Sequence, residues 1–227
     1  MNERGSEPGA SVRRAAAGRS GSGGRRAAGP SVGHPGREWD LATAIADPDG
    51  VRRGPDVGLP EVALAGRSNT GKSSLLNALT RRRGLARTSS TPGRTQQVLV
   101  FAGPEPVALA DLPGYGWARA SRGERTSWAR LIDAYLRGRE ALRGLVVVID
   151  ARRGIGPLDE EMLARAAALE LPWRLVVTKV DKLKRAERDR LPQVLGERAP
   201  AAILFSARTG EGRDDVWRAV ADLAGLR

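Results

Sequence analysis

Residues 66–74 read Gly66-Arg67-Ser68-Asn69-Thr70-Gly71-Lys72-Ser73-Ser74, a G-x-x-x-x-G-K-S loop, and few stretches constrain a fold so tightly. The two glycines let the backbone curl until successive N–H groups point inward at phosphate oxygens. Lys72 is placed to reach the β- and γ-phosphates, and the Ser73 hydroxyl to ligate Mg²⁺. The flanks agree with that reading. Glu61-Val62-Ala63-Leu64-Ala65 is a short apolar run suited to a buried strand, and Leu75-Leu76-Asn77-Ala78-Leu79 continues as a helix whose N-terminus faces the anion.

Apolar strands then alternate with helical stretches: strands at 61–65, 96–101, 107–110, 144–149, 173–178 and 201–205, helices at 72–80, 124–137, 157–169, 185–197 and 212–225. This alternation predicts an α/β fold with a mostly parallel sheet and helices on both faces. The short turn 102–106 between two of the strands makes one of them antiparallel. Trp39 to Ala46 reads as a short helix or strand, and Pro48 to Pro60 as a loop.

Residues 1–38 differ from the rest. They are rich in Gly, Ser, Ala, Arg and Pro without hydrophobic periodicity, so a disordered basic tail is expected, followed by a nucleotide-binding domain over 39–227. No apolar stretch follows the tail's basic residues as in a secretory leader, and the longest aliphatic run, 145–149, is far below the ~20 residues that cross a bilayer. A monomer in the cytoplasm, without stable membrane association, is the expectation. The 227 residues contain no cysteine, which excludes disulfides, zinc–thiolate sites and cysteine nucleophiles.

The formal net charge is +12. The tail, with seven arginines against Glu3, Glu7 and Glu38, holds +4 of it, and +8 remains on 39–227. A basic folded domain favours polyanions. Of the 38 basic residues only Lys72, Lys179, Lys182 and Lys184 are lysine, and Lys72 stands where a compact ammonium threads between phosphates better than a planar guanidinium.

Three further stretches complete a nucleotide site. Asp111-Leu112-Pro113-Gly114 follows the strand Val107-Ala108-Leu109-Ala110; a carboxylate there holds Mg²⁺ through water, and Gly114 offers an N–H to a γ-phosphate. Thr178-Lys179-Val180-Asp181 follows Leu175-Val176-Val177. The Asp181 carboxylate can accept from guanine N1–H and the 2-amino group, which adenine cannot supply, so GTP and GDP are expected over ATP, with Lys179 over the base plane. Many GTPases have Asn where this chain has Thr178. Phe205-Ser206-Ala207 follows the last strand and would meet guanine O6 from the opposite side. The polar stretch 88–96, with Gly93, Arg94 and Thr95 facing the nucleotide, has the composition of a switch segment. Thr95, with Thr91 as its rival, is the hydroxyl expected on Mg²⁺. Lys72, Thr95 and Gly114 are the catalytic candidates.

Taken together, G-R-S-N-T-G-K-S-S-L-L-N, S-T-P-G-R-T-Q, D-L-P-G-Y-G-W-A and T-K-V-D-K closely resemble the EngB family of bacterial GTPases, of the TrmE–Era–EngA–EngB group. The match runs from about Trp39 to the C-terminus; Asp150-Ala151-Arg152 and Asp159 also fit it, while the tail lies outside the family core and Trp117 stands where relatives often have Tyr. The resemblance implies a Ras-like fold, Mg²⁺-dependent GTP hydrolysis, a role in assembling the large ribosomal subunit with ribosomal RNA as partner, and a link to cell division. A Ras-like enzyme has a water-orienting glutamine after D-x-x-G, and this chain has Tyr115, so slow intrinsic hydrolysis is expected. Related GTPases use a monovalent cation held partly by a P-loop asparagine; Asn69 matches it, which makes K⁺ the expected activator. Arg81, Arg82, Arg83, Arg87, Arg119, Arg122 and Arg125 supply charge for RNA beside the switches. Two other functions are compatible with the sequence: an RNA-binding module that senses GTP with little hydrolysis, and a signalling or membrane GTPase.

Overall fold

A computed structural model describes residues 38–86, 97–116 and 121–226. The expected tail is therefore outside the described residues but for Glu38, as is the stretch 87–96 with Gly93, Arg94 and Thr95.

The described strands are β1 (Asp40–Ile45), β2 (Glu61–Gly66), β3 (Val98–Ala102), β4 (Ala108–Asp111), β5 (Leu142–Asp150), β6 (Trp173–Thr178) and β7 (Ala202–Phe205). They form one sheet in the order β1-β3-β4-β2-β5-β6-β7. β3 runs antiparallel to both β1 and β4, and the other pairings are parallel. Strand β3 is thus the antiparallel member that the 102–106 turn demanded. The segment from Trp39 resolves as a strand, β1, paired to β3.

The helices are α1 (Pro48–Arg53), α2 (Lys72–Leu79), α3 (Arg122–Gly138), α4 (Pro157–Ala168), α5 (Arg185–Asp189), α6 (Leu191–Leu195) and α7 (Arg213–Leu223). The period-two alternation of the strands divides the core. Ala63, Val147 and Val177 face one side with Leu131, Ile132 and Tyr135 of α3 and Met162 and Leu163 of α4. Val62, Leu64, Val146 and Val176 face the other with Leu75 and Leu76 of α2 and Val216 and Val220 of α7. Strands buried on both faces read as continuous apolar runs, which is why 145–149 is so uniformly aliphatic.

Two expectations fail for local reasons. The loop expected over 48–60 contains α1, where Asp47 accepts the Gly50 N–H at 2.8 Å and Pro48 takes the first turn. The single helix expected over 185–197 breaks in two, because Pro192 lies in the first turn of α6 and has no N–H to continue α5.

At the end of β2 remote from the phosphate loop, Glu61 is fully buried and anchors a polar network. Arg139 Nε donates to both Glu61 oxygens at 3.1 and 3.0 Å, and its Nη2 reaches Oε1 at 2.5 Å and the Pro55 carbonyl at 3.1 Å. The Tyr135 hydroxyl donates to Glu61 Oε2, and burial and then the Glu61 charge hold that phenol well above its ordinary pKa. Removing one partner of such a pair strands a buried charge, so Arg139→Met should cost about 3–5 kcal/mol in urea unfolding. Glu61→Leu combined with Arg139→Met should recover most of that loss.

Candidate nucleotide-binding site

Strand β2 is flanked by β4 on one side and β5 on the other, so the sheet order reverses there. The C-terminal ends of the parallel strands β2, β4, β5, β6 and β7 share one edge, and a crevice at such a switch point is where open α/β sheets bind ligands. Gly66, Asp111, Asp150, Thr178 and Phe205 all close their strands at that edge.

The phosphate loop leaves β2 at Gly66, whose position admits no side chain: a Cβ there would lie 2.5 Å from the Val148 carbonyl oxygen and 2.9 Å from Thr70 Oγ1. Arg67 pairs with Tyr115 in an isolated parallel bridge. The Thr70 N–H and hydroxyl both donate to the Arg67 carbonyl, at 3.2 and 2.9 Å, closing the turn. Asn69 and Gly71 take positive φ, 67° and 100°, the backbone reversal that turns N–H groups inward. Lys72, Ser73 and Ser74 form the first turn of α2, which carries no side-chain cap on Gly71. A helix start with its donors uncapped suits an anion.

Lys72 is buried and its ammonium pairs with Asp111 Oδ1 at the end of β4. Leu112 is buried and donates its N–H to the Leu64 carbonyl at 3.1 Å, which keeps 111–113 beside the loop. Gly114 accepts from the Ser68 hydroxyl at 3.2 Å.

The segment expected to read the base is built around Lys179, a non-glycine residue at φ 61°. Its Nζ donates to the Asn69 carbonyl at 2.5 Å and to Asp150 Oδ2 at 2.9 Å. Asp150 is buried, which raises its pKa, yet hydrogen bonds from Arg152 and Lys179 outweigh burial and hold it far below the usual carboxylate range. The Thr178 hydroxyl lies within donating reach of the Thr70 and Ile149 carbonyls, the latter at 2.9 Å. One proton serves two acceptors there, where an asparagine amide would offer two. Val180 is buried beneath the segment. Asp181 accepts from the Ser206 hydroxyl at 2.7 Å and from Arg208 Nε at 2.8 Å; these bonds, Arg208 first, lower its pKa. Phe205 and Ser206 are buried and Ala207 is exposed.

The structure thus brings the P-loop, 111–114, 178–181 and 205–207 to one crevice. Asp150 and Asp159 stand out in the sequence through the family resemblance alone, which gives them no role. The contacts of Arg208 with Asp181 and of Asp159 with Tyr115 have no spacing signal, since each forms across the fold.

The residues fit a magnesium-bound nucleoside phosphate. Gly66 and Gly71 make a cradle that side chains would fill, and Ser73 and Asp111 are hard oxygen donors. Among the described residues no three His, Cys, Asp or Glu side chains converge on a metal site, so the ion would share the phosphates' oxygens. The Asp181 carboxylate offers two acceptors, the pattern that suits the N1–H and 2-amino donors of guanine. Asp181→Asn should weaken GDP binding by about 10- to 100-fold, as expected for one charged hydrogen-bonding group at about 1.5–3 kcal/mol. It should strengthen binding of xanthosine diphosphate, whose C2 carbonyl accepts the new amide proton; competition against a fluorescent nucleotide reads both.

A family model described as 50S ribosome-binding GTPase matches residues 61–179. The chain is 43% identical over 169 residues to the probable GTP-binding protein EngB of Desulfatibacillum aliphaticivorans, covering 73% of this chain and 82% of that one. It is 47% identical over 182 residues to the probable GTP-binding protein EngB of Rhodospirillum rubrum, covering 75% and 79%. Among solved structures, a probable GTP-binding protein engB superposes with TM-score 0.59 at 22% identity, over 74% of this chain and 100% of that one, a likeness of fold. Era in complex with MgGDPNP and nucleotides 1506–1542 of 16S ribosomal RNA superposes with TM-score 0.57 at 26% identity, over 73% of this chain and 56% of that one.

Proposed function

The chain belongs to the EngB family of P-loop GTP-binding proteins, and from that premise we propose that it is a slow GTPase whose GTP-bound form docks on the large ribosomal subunit during assembly. The observation that carries the guanine part is the seating of Asp181 and Lys179 against the phosphate loop, through the Lys179 bond to the Asn69 carbonyl. Bound Mg²⁺ would supply charge neutralisation between the phosphates, with Ser73 and Asp111 as its protein ligands. On binding, Lys72 exchanges Asp111 for phosphate oxygens, so one buried ion pair is replaced by charge-assisted contacts to the ligand.

Slow turnover follows from Tyr115. Its hydroxyl is engaged by Asp159 at 3.0 Å, and burial, then the Asp159 charge and hydrogen bond, push its pKa above the ordinary range against the opposing effect of Arg67. Such a phenol neither accepts a proton from water nor orients it as an amide does. Thr95 remains the residue assigned to close on the metal, and a K⁺ ion beside the exposed Asn69 is the proposed source of extra positive charge on the phosphates.

The ribosomal part is supported by the matching family's description and by charge. Arg81 and Arg83 are exposed on the turn after α2, which leads into 87–96, while Arg82 donates to the Trp39 carbonyl. Arginines so placed contact phosphates in a salt-dependent manner.

Sedimentation of the protein with ribosomal subunits tests the reading directly. Co-migration with large subunits is expected with a non-hydrolysable GTP analogue and not with GDP, and should fade steeply as salt rises. Association with neither subunit in either state would remove the ribosomal assignment. Separately, single-turnover hydrolysis should be faster in K⁺ than in Na⁺; equal rates would remove the cation from the proposal.

A further inference from the structure

Tyr115 stands where Ras-like enzymes orient water, yet its side chain leaves the crevice and runs to the start of α4. There its hydroxyl donates to Asp159 Oδ1 at 3.0 Å. The other carboxylate oxygen, Oδ2, accepts the Gly156 N–H at 2.9 Å and so caps α4. Asp159 is 1% exposed, which means each of its oxygens has to find a donor within the protein.

The main chain of the same segment is fixed from the opposite side. The Ser68 N–H donates to the Tyr115 carbonyl at 2.9 Å, and the Ser68 hydroxyl to the Gly114 carbonyl at 3.2 Å. The Arg67 side chain packs between two glycines: a Cβ on Gly116 would lie 3.4 Å from its Nε, and a Cβ on Gly156 3.1 Å from its Nη1. Gly116 itself takes φ 74°, a conformation that favours glycine. Residues 114–116 are therefore clamped between the phosphate loop and α4.

We propose that Asp159 is a positioning residue for recognition of the γ-phosphate, acting through Tyr115 to hold the Gly114 main chain in register with the phosphate loop. The proposal rests on the GTP reading above and deepens it. Shifting Tyr115 would strip a buried carboxylate oxygen of its donor, a cost that keeps the segment in place. A γ-phosphate then meets a Gly114 backbone already placed, and little ordering has to be met on binding. GDP has no γ-phosphate and gains nothing from the clamp.

That asymmetry gives a readout that a general structural role would not move. Tyr115→Phe removes the hydroxyl and leaves the α4 cap on Asp159 intact. Affinity for a non-hydrolysable GTP analogue should fall about five- to tenfold, less than the full worth of one hydrogen bond to a charged acceptor because the effect reaches the ligand through the Gly114 main chain, while GDP affinity should stay within about twofold of the unsubstituted protein. Asp159→Asn, which keeps one carbonyl oxygen for two donors, should give a smaller shift in the same direction and provides the second variant should the first fold poorly. Titration calorimetry of the full chain with each nucleotide in Mg²⁺ measures both. Equal weakening of GDP and the analogue, or no change in either, would overturn the proposal alone. Failure of the unsubstituted chain to bind GDP would overturn the GTP reading and the proposal with it.

Discussion

Lys179 holds a left-handed backbone conformation that costs a non-glycine residue on the order of 1–2 kcal/mol, and three polar contacts offset it. Its ammonium bonds the Asn69 carbonyl in the phosphate loop and Asp150 at the end of β5, and Asp150 is held in turn by bidentate Arg152 at 2.9 and 2.6 Å. Thr178, one residue earlier, reaches the Thr70 carbonyl. The phosphate loop and the segment 178–181 are consequently one body. Removing the lysine would free a carbonyl in the first, leave Asp150 with Arg152 as its cation, and release the segment carrying Asp181.

Lysine suits this place: a compact ammonium on a flexible stem fits between the Asp150 carboxylate and the Asn69 carbonyl, where a bulkier planar guanidinium would need more room between the two. The same holds for Lys72, whose ammonium lies buried against Asp111 beneath the loop. Of the chain's 38 basic residues four are lysine, and these two occupy positions that suit a point charge. Exposed pairs elsewhere, such as Arg137 with Asp133 and Arg165 with Glu161, are made by arginine and contribute little individually.

The succession of strands and helices along the chain and the phosphate loop are readable from the sequence because both are local. A buried parallel strand declares itself as an unbroken aliphatic run, as at 145–149, and the loop is a single stretch whose backbone geometry needs its two glycines. Helix α1 escaped notice because six residues are too few to show a period, although Asp47-Pro48 is a helix-start signal in retrospect. The helix expected over 185–197 overrode Pro192, which should have ended it. Sites built by contact across the chain were closed to sequence reasoning: Tyr115 with Asp159 lie 44 residues apart, and Arg208 with Asp181 27. No spacing rule links such pairs; they depend on which helix lands beside which strand end.

The clamp on Tyr115 also bears on how the chemistry is timed. The residue after Gly114 can orient an attacking water or anchor the segment to α4, and one side chain does not do both. With its hydroxyl committed to Asp159, Tyr115 favours a fixed Gly114 over an assisted water. On the proposed reading, recognition of the γ-phosphate would be prepared in advance, while the hydrolytic step lacks a group this segment could have supplied. The missing assistance then has to come from elsewhere, from 87–96, from a cation beside Asn69, or from a docking surface of the kind proposed, and in the last case arrival itself would end the bound state.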